Sequence, residues 1–361
     1  MRQVLAWIKT TEPDVDDDNA DADDYWYYFK SSGKAQTKKG TNINGQTYIF
    51  DNRGRMLTGW VAKDTDSNAY LEIGDENSDY YLKQFADVYF CGDEDDGHAK
   101  KNKWLKTWLP SDTEEEEDDK EWFWFDKNGK LYKTSDSNAS TATKYKFEDG
   151  KLIIDKKSDG TPKTYEVAKK KVNSKDYWFR TDGVMVSKFY LIDDNMYYFG
   201  GADDGSMKTG SQSIKDNAGD TYKFYFYTKD QSSEYESNDK LPLHKGAGVI
   251  GNQGNKLYYY GMLIQADDYK YQLATIAKDG VDYSFIVNSN GTIQHSKSTE
   301  YKEDGDVLIA TGIKNASGKA TETKFVENGQ FKYAISNEAN NWDTVSKNVA
   351  DIDMSGFVQG K

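Results

Sequence analysis

The chain has 361 residues and a formal net charge of -14, and aromatic residues make up 14% of it. This negative charge argues against nucleic acid or an anionic membrane surface as a partner. No apolar run approaches the roughly 18 residues of a transmembrane helix, so membrane insertion is not expected. The chain contains one cysteine, Cys91, which excludes an internal disulfide framework and predicts a structural, half-buried thiol.

The first predicted element, at residues 2–9, is a strand that ends in a tryptophan followed by a β-branched residue, Trp7 and Ile8. Residues 55–62 repeat this pattern around Trp60, and a third version surrounds Trp104. The first copy opens the chain inside a repeat. We therefore expect Met1 to begin a fragment, with any export signal upstream of it.

An aromatic run, a short polar turn and a glycine recur in this order along the chain. The clearest copies, each given with its glycine, are residues 26–29 with Gly33, 48–50 with Gly54, 122–125 with Gly129, 177–179 with Gly183, 197–199 with Gly205, and 283–285 with Gly291. Self-similarity at short intervals predicts a stacked array of repeats. A lone β-hairpin is marginal in water, so each hairpin must bury a face against the next.

Acidic stretches separate the Trp-ending strands from the aromatic runs that follow them. They lie at residues 14–24, 64–79 and 112–119. Beyond about residue 145 the Trp-ending strands disappear and Tyr-rich hairpins dominate. No segment has a convincing amphipathic helix pattern. The sequence thus predicts an all-β, elongated solenoid of stacked β-hairpins with an atypical β-rich C-terminal section.

The same composition shifts predict three sections. Residues 1–140 would form Trp-rich hairpin repeats with acidic loops, and residues 141–300 would form Tyr-rich hairpin repeats. Residues 301–361 would form a C-terminal β section or cap.

Two segments resemble the cell-wall-binding repeats of Gram-positive surface proteins. Residues 54–60 read Gly-Arg-Met-Leu-Thr-Gly-Trp, and residues 197–210 combine Tyr-Tyr-Phe with Gly-Ser-Met-Lys-Thr-Gly. That family includes choline-binding modules, the glucan-binding repeats of glucansucrases and the receptor-binding repeats of large clostridial toxins. Weaker similarity extends from Trp7 to Gly291. The resemblance implies a β-hairpin solenoid that attaches a secreted protein to a wall polymer or glycan.

In the choline-binding branch, the ligand lies between hairpins in a cage of aromatic rings. Carried over by position, the resemblance implies these cages: Trp7 with Trp26 and Tyr28, Trp60 with Tyr80, and Trp104 with Trp122 and Trp124. Two features differ from the family pattern. Long acidic loops follow the closing tryptophans, and Gly210 is followed by Ser211 where a tryptophan is expected. The alternatives are that these rings form only the core between hairpins, or a shallow surface on which sugars stack.

The acidic stretches also raise the question of calcium. Asp14, Asp16 and Asp18 alternate, and residues 93–97 form a dense cluster of oxygen ligands. No segment has the glycine at position 6 and the glutamate at position 12 of an EF-hand loop. Charge runs of this kind are usually solvated, so no metal site and no cofactor are predicted.

Catalytic residues are not evident. His98, His244 and His295 stand apart from one another, without metal-ligand spacing and without a nucleophile nearby in sequence. The sequence therefore predicts a non-enzymatic, extracellular module, monomeric and associated with the cell wall. Its partner would be a wall polymer carrying teichoic acid choline, or a glycan. Two alternatives stay open: a structural spacer or host-protein interaction stalk without a small-molecule site, and an enzyme domain in residues 307–361.

Overall fold

The computed structural model is almost entirely β-structure. It describes residues 5–11, 23–74, 82–110, 120–135, 137, 139–230, 244–267, 269–278, 281–294, 301–303, 306–309, 325–326 and 330–331. Apart from a turn of 3-10 helix at Leu82–Gln84, the regular elements in these residues are β-strands. No helix in the described part is long and apolar enough to cross a membrane. The prediction of an all-β hairpin-repeat fold is confirmed.

The strands follow one another at short intervals. The first thirteen are β1 (Ala6–Thr10), β2 (Tyr25–Phe29), β3 (Lys38–Ile43), β4 (Gln46–Phe50), β5 (Gly59–Lys63), β6 (Tyr70–Glu72), β7 (Asp87–Cys91), β8 (Lys103–Thr107), β9 (Glu121–Phe125), β10 (Ser140–Glu148), β11 (Lys151–Ile154), β12 (Thr164–Val172) and β13 (Lys175–Arg180). The others are β14 (Phe189–Ile192), β15 (Asn195–Tyr198), β16 (Gly210–Lys215), β17 (Thr221–Phe226), β18 (Gly251–Gln253), β19 (Lys256–Tyr259), β20 (Met262–Leu263), β21 (Tyr271–Lys278), β22 (Val281–Asn288), β23 (Tyr301–Glu303), β24 (Asp306–Ile309), β25 (Phe325–Val326) and β26 (Gln330–Phe331).

The chain forms two compact units. Unit 1 contains Met1–Ser140 and Glu166–Val186, and unit 2 contains Thr141–Tyr165 and Ser187–Lys361. The three sections expected from composition follow a different criterion, the type of aromatic residue, and stay a prediction.

Unit 1 is built from antiparallel hairpins. β1 pairs with β2, β3 with β4, β5 with β7, β8 with β9, and β12 with β13. In the pairs β1–β2, β5–β7 and β8–β9, the strand that carries a closing tryptophan pairs with an aromatic strand that follows the acidic stretch in sequence. In sequence, each acidic stretch therefore lies between a strand and its pairing partner, and the stretch at residues 64–79 also contains β6, which pairs with the other edge of β5. The acidic stretches do not separate one hairpin from the next.

The pattern at residues 51–54 predicts a hairpin turn, and the structure has a tight turn there, in which the amide of Gly54 donates to the carbonyl of Asp51 at 3.2 Å. The pairing across this turn is shorter than expected, because β5 pairs with β7 and not with β4. Residues 51–54 form a corner between hairpins, after which Met56 makes a single bridge to Phe50. The Asp51 carboxylate closes the corner by accepting hydrogen bonds from the amides of Arg53 and Arg55 at 2.9 and 2.8 Å. Gly54 has φ +92°, and a Cβ there would lie 3.1 Å from the Ala35 side chain. Glycine fits this corner because it adopts a positive φ at little cost and has no Cβ to contact Ala35.

Unit 2 continues the hairpin plan with larger sheets. β14 pairs with β15 and with β10, which also pairs with β11. A five-stranded sheet has the order β16-β17-β20-β19-β18, and β21 pairs with β22. The main core of this unit is aromatic and includes the fully buried rings of Phe224, Phe226 and Phe285. The described parts of the predicted C-terminal section are strands β23 to β26.

Candidate aromatic ligand sites

A main-chain hydrogen bond links hairpins at equivalent places. In each case, the amide of the residue after a corner donates to the carbonyl of the first residue in an earlier aromatic quartet. Five such bonds, with N–O distances of 2.7–2.8 Å, occur in the described residues: Met56 to Trp26, Ala99 to Thr47, Leu131 to Val88, Met185 to Trp122, and Gly248 to Met196. Each bond fixes a junction where rings from two hairpins meet. We name four of the junctions by the residue at the closing position of the first hairpin: Trp7, Trp60, Trp104 and Phe189. The fifth has Lys39 at this position, opposite Ile49.

The Trp7 junction gathers aromatic rings from β1, β2 and β4. The ring centroid of Trp7 lies 5.2 Å from that of Tyr28, its partner across the hairpin, and 6.4 Å from that of Trp26. The next hairpin adds Tyr48 at 4.7 Å and Phe50, which stacks on Trp7 at 5.8 Å. Phe50 is fully buried, whereas the rings of Trp7, Trp26 and Tyr48 are only partly buried. The cluster is therefore closed on the side of Phe50 and accessible to solvent at the partly buried rings.

The Trp104 junction repeats this arrangement. The ring centroid of Trp104 lies 5.2 Å from that of Trp124, 4.8 Å from that of Tyr177 and 5.8 Å from that of Phe179, on which Trp104 stacks. Trp122 packs against the same cluster. The distances match those at the Trp7 junction within 0.1 Å because the same strand register places them. The structure thus brings together the predicted groups Trp7-Trp26-Tyr28 and Trp104-Trp122-Trp124.

The register also explains why the long acidic loops do not disturb these groups. Trp7 lies directly opposite Tyr28 across β1 and β2, and Trp104 lies opposite Trp124 across β8 and β9. Side chains directly opposite one another in an antiparallel pair have Cβ atoms about 5 Å apart. The pairing sets this distance at the base of the hairpin, whatever the length of the acidic connection.

The Trp60 junction has the same plan but is filled. Trp60 is 6% exposed, and its indole Nε1 donates a hydrogen bond of 2.8 Å to the carbonyl of Trp108. Val88 occupies the place held by Trp26 and Trp122, and Leu131 closes the other side. Tyr80, the residue predicted to complete this cage, lies outside the described residues. In the described part, the cluster around Trp60 is hydrophobic core.

The Phe189 junction of unit 2 is also filled. Phe189 takes the closing position opposite Tyr198, and Met196 takes the place of Trp26. Both Phe189 and Met196 are almost fully buried. Gly248 stands where the other named junctions have Met or Leu, because a Cβ there would lie 2.6 Å from the main-chain carbonyl group of Tyr260.

The charge around the Trp7 junction favours a cation. A cleft of about 390 Å3 beside Trp26 and Met56 is lined by several charged side chains: Asp23, Asp24, Glu72, Glu94 and Lys9. Four carboxylates against one ammonium group make the local potential negative. Two of these carboxylates already have partners: Lys9 Nζ lies 3.3 Å from Glu94, and Glu72 Oε1 accepts a hydrogen bond of 2.5 Å from the amide of Thr58.

Aromatic rings next to both clusters already hold protein cations. The Arg55 guanidinium lies 4.8 Å from the ring centroid of Tyr25, which lines the cleft, and Lys170 Nζ lies 4.9 Å from that of Tyr132, which packs beside Trp104. A cation within about 6 Å of a ring face is attracted by the ring quadrupole. Cation–π contact therefore already occurs on a ring beside each cluster.

Of the other residues weighed from the sequence, Asp14, Asp16, Asp18 and His295 lie outside the described residues, whereas residues 93–97 are described. Asp93 Oδ1 accepts hydrogen bonds from the amides of Asp95 and Asp96 at 3.1 and 3.0 Å, which forms a turn. Among the residues described, no group of three potential metal ligands is present. Cys91 is fully buried, a correction to the half-buried thiol expected, and burial raises its pKa to about 12. A thiol with that pKa is not nucleophilic near neutral pH.

Comparison with known proteins gives matches only among solved structures. No family model and no curated protein matches the chain. Choline binding protein F from Streptococcus pneumoniae is 18% identical, with a TM-score of 0.23 over 85% of this chain and 98% of that one. CbpJ from the same organism is 17% identical, with a TM-score of 0.24 over 91% and 100%. The pneumococcal autolysin LytC is 14% identical, with a TM-score of 0.25 over 81% and 49%.

The proteins found in this way agree with the resemblance stated from the sequence, which named choline-binding repeats.

The sequence did not identify two walls of the clusters. Tyr48 and Tyr177 each belong to the hairpin that packs against the one supplying the tryptophans. The ring centroid of each lies within 5 Å of that of the closing tryptophan. A signal was available, because both residues stand two places before the phenylalanine that precedes a corner.

Proposed function

We propose that this chain is a non-enzymatic, extracellular wall-binding module that holds quaternary ammonium groups at the Trp7 and Trp104 junctions. The ligand would be choline on a wall polymer, the ligand that the sequence resemblance implies. Two sites on one unit would bind a repetitive polymer with avidity, because the second contact becomes intramolecular. The chain would act as a monomer.

The observation that carries this proposal is the equivalence of the two open junctions. Trp7 and Trp104 have neighbours of the same type at the same distances, while the positions that differ at Trp60 and Phe189 hold aliphatic side chains. A core alone requires only that the space be filled, and Val88 and Leu131 fill it at the Trp60 junction. At each of the other two junctions a partly exposed ring, Trp26 or Trp122, stands where Val88 does, and such a ring suits a ligand.

The expected affinity follows from the contacts available. Each ring face contributes about 0.5–2 kcal/mol to binding a quaternary ammonium, more when the site is dry. Three rings then give a dissociation constant on the order of millimolar. The carboxylates beside Trp26 add attraction that salt screens.

Calorimetric titration with choline chloride, read together with tryptophan fluorescence, tests the proposal. The wild-type chain should bind two choline molecules. Trp26→Ala and Trp122→Ala should each leave one site, and the double variant should leave none. Wild-type stoichiometry in the double variant, or no binding of choline by the wild-type chain, would refute the proposal.

Val88→Ala is the matched control, because Val88 holds the equivalent position in the filled Trp60 junction. Val88 is fully buried, so this variant should lose stability while it keeps both choline sites. Loss of choline binding in Val88→Ala would mean that binding follows general stability instead of the open junctions.

A structural spacer is the second candidate function, and the burial of Trp60 favours it. In a spacer every junction is core, so Trp26→Ala and Trp122→Ala would lower the free energy of unfolding with no ligand site to lose. The same titration separates the two functions. An absence of binding with choline, teichoic acid fragments and glucans would support the spacer.

A further inference from the structure

A groove lies on the outer face of the five-stranded sheet of unit 2. It has a volume of about 450 Å3, and strands β16, β17 and β19 supply most of its polar walls. Alternate residues of a strand share a face, so the following side chains project to the same side: Ser211, Ser213, Lys223, Tyr225, Lys256 and Tyr258. Their chain neighbours Phe224 and Leu257 are buried in the core on the opposite face.

The charge of this groove is opposite to that of the chain. Lys223 and Lys256 line it, and no carboxylate does so among the described residues. In the same described part, neither lysine forms an ion pair. Lys256 Nζ donates a hydrogen bond of 3.0 Å to the carbonyl of Asn290, which holds the ammonium at the edge of the groove. Two uncompensated cations in a chain of net charge -14 favour an anionic group.

Two tyrosines give the groove an apolar wall. The ring centroids of Tyr225 and Tyr258 lie 5.9 Å apart. Tyr258 is 7% exposed, whereas Tyr225 is partly buried and presents more of its ring. The exposed hydroxyls of Ser211 and Ser213 stand on the neighbouring strand, directly opposite Tyr225 and Lys223. An aromatic surface with hydroxyl groups beside it suits a ligand that has both C–H faces and hydroxyls.

We propose that this groove binds an acidic saccharide, meaning a sugar that carries one carboxylate or phosphate group. Lys223 and Lys256 bind the anionic group, Tyr225 packs against the ring of the sugar, and the two serines bind its hydroxyls. The site lies in unit 2 and does not depend on choline binding in unit 1.

Calorimetric titration of the full chain with four probes tests this proposal. Glucuronate and glucose 6-phosphate carry the two kinds of anionic group on a sugar. Glucose has the sugar ring and hydroxyls without an anionic group, and inorganic phosphate has an anionic group without a sugar. At least one acidic sugar should bind at one site, about tenfold or more tighter than both glucose and phosphate. Added sodium chloride should weaken this binding. Binding of only one acidic sugar identifies the anionic group and supports the proposal.

Variants distinguish the groove from general charge attraction. Lys223→Gln and Tyr225→Ala should each weaken the binding of the acidic sugar about tenfold. Lys215→Gln is the control, because Lys215 is exposed on the same hairpin and does not line the groove. Lys223 is exposed as well, so its replacement does not endanger folding. Equal effects of Lys223→Gln and Lys215→Gln, no effect of Tyr225→Ala, or phosphate binding as tight as that of glucose 6-phosphate would overturn the proposal.

Discussion

The amide of Met185 donates a hydrogen bond of 2.8 Å to the carbonyl of Trp122, and this bond joins two hairpins of unit 1. It positions Phe179, which forms a bridge with Met185, against the ring of Trp104. The same bond recurs between Met56 and Trp26. Junction geometry in this chain is therefore set by main-chain contacts, and the side chains decide whether the junction is open or filled.

Phe179→Ala should strongly destabilise unit 1. Phe179 is fully buried and stacks on Trp104 at 5.8 Å, so its removal leaves a cavity under the cluster. A change of this kind costs about 3–5 kcal/mol. Urea denaturation followed by tryptophan fluorescence measures the loss. Leu5→Ala, at a residue that is 66% exposed, should change stability by less than about 0.5 kcal/mol.

Gly248→Ala should destabilise unit 2, because the added Cβ would lie 2.6 Å from the main chain of Tyr260. Relief of this overlap requires the backbone to move, which costs about 1–3 kcal/mol or more. Gly201→Ala is the control, since nothing lies within 4 Å of its added Cβ. Equal melting temperatures for the two variants would contradict the packing described at the Phe189 junction.

Trp60→Phe should lower stability and leave choline stoichiometry unchanged. The variant loses the Nε1 donor to the carbonyl of Trp108, and the loss of this part-buried hydrogen bond costs about 0.5–1.5 kcal/mol. Thermal unfolding measures this loss, and titration with choline provides the functional reading. A change in the number of choline molecules bound would show that Trp60 contacts ligand.

Tyr197 should contribute to unfolding at alkaline pH. Burial, followed by the charges of Asp193 and Asp230, raises its pKa to about 12, whereas an unfolded tyrosine titrates near 10. The folded state thus holds its proton to higher pH, so the stabilisation is complete below pH 10 and is lost as pH rises from 10 to 12. The loss amounts to about 2–3 kcal/mol.

Tyr197→Phe provides the comparison, because phenylalanine has no proton to lose. Between pH 10 and 12, its free energy of unfolding should fall by about 2–3 kcal/mol less than that of the wild-type chain. Urea denaturation at several pH values measures both proteins. Parallel curves across this range would mean that the Tyr197 phenol titrates normally in the folded state.

The sequence was sufficient to group Trp7, Trp26 and Tyr28, because the family pattern joins residues of one hairpin. It was not sufficient to add Tyr48, which arrives from the next hairpin by stacking. Stacking brings together residues that are distant in sequence, and a local pattern does not encode that contact. The filled state of the Trp60 junction could have been predicted, since Val88 stands at the first position of its quartet, where Trp26 and Trp122 stand in theirs. Turn chemistry at Asp51 and Gly54 located the turn, but it does not encode that β5 pairs with β7 and not with β4.

The acidic connections within the hairpins have a consequence for how such a chain can change over generations. Residues inserted between β1 and β2, or between β8 and β9, lengthen the connection without shifting the register at the base of the hairpin. Doubling a loop costs only about 0.6 kcal/mol in closure entropy. Mutation and insertion can thus alter the charge and size of these connections freely, while the rings at the bases evolve under a separate constraint.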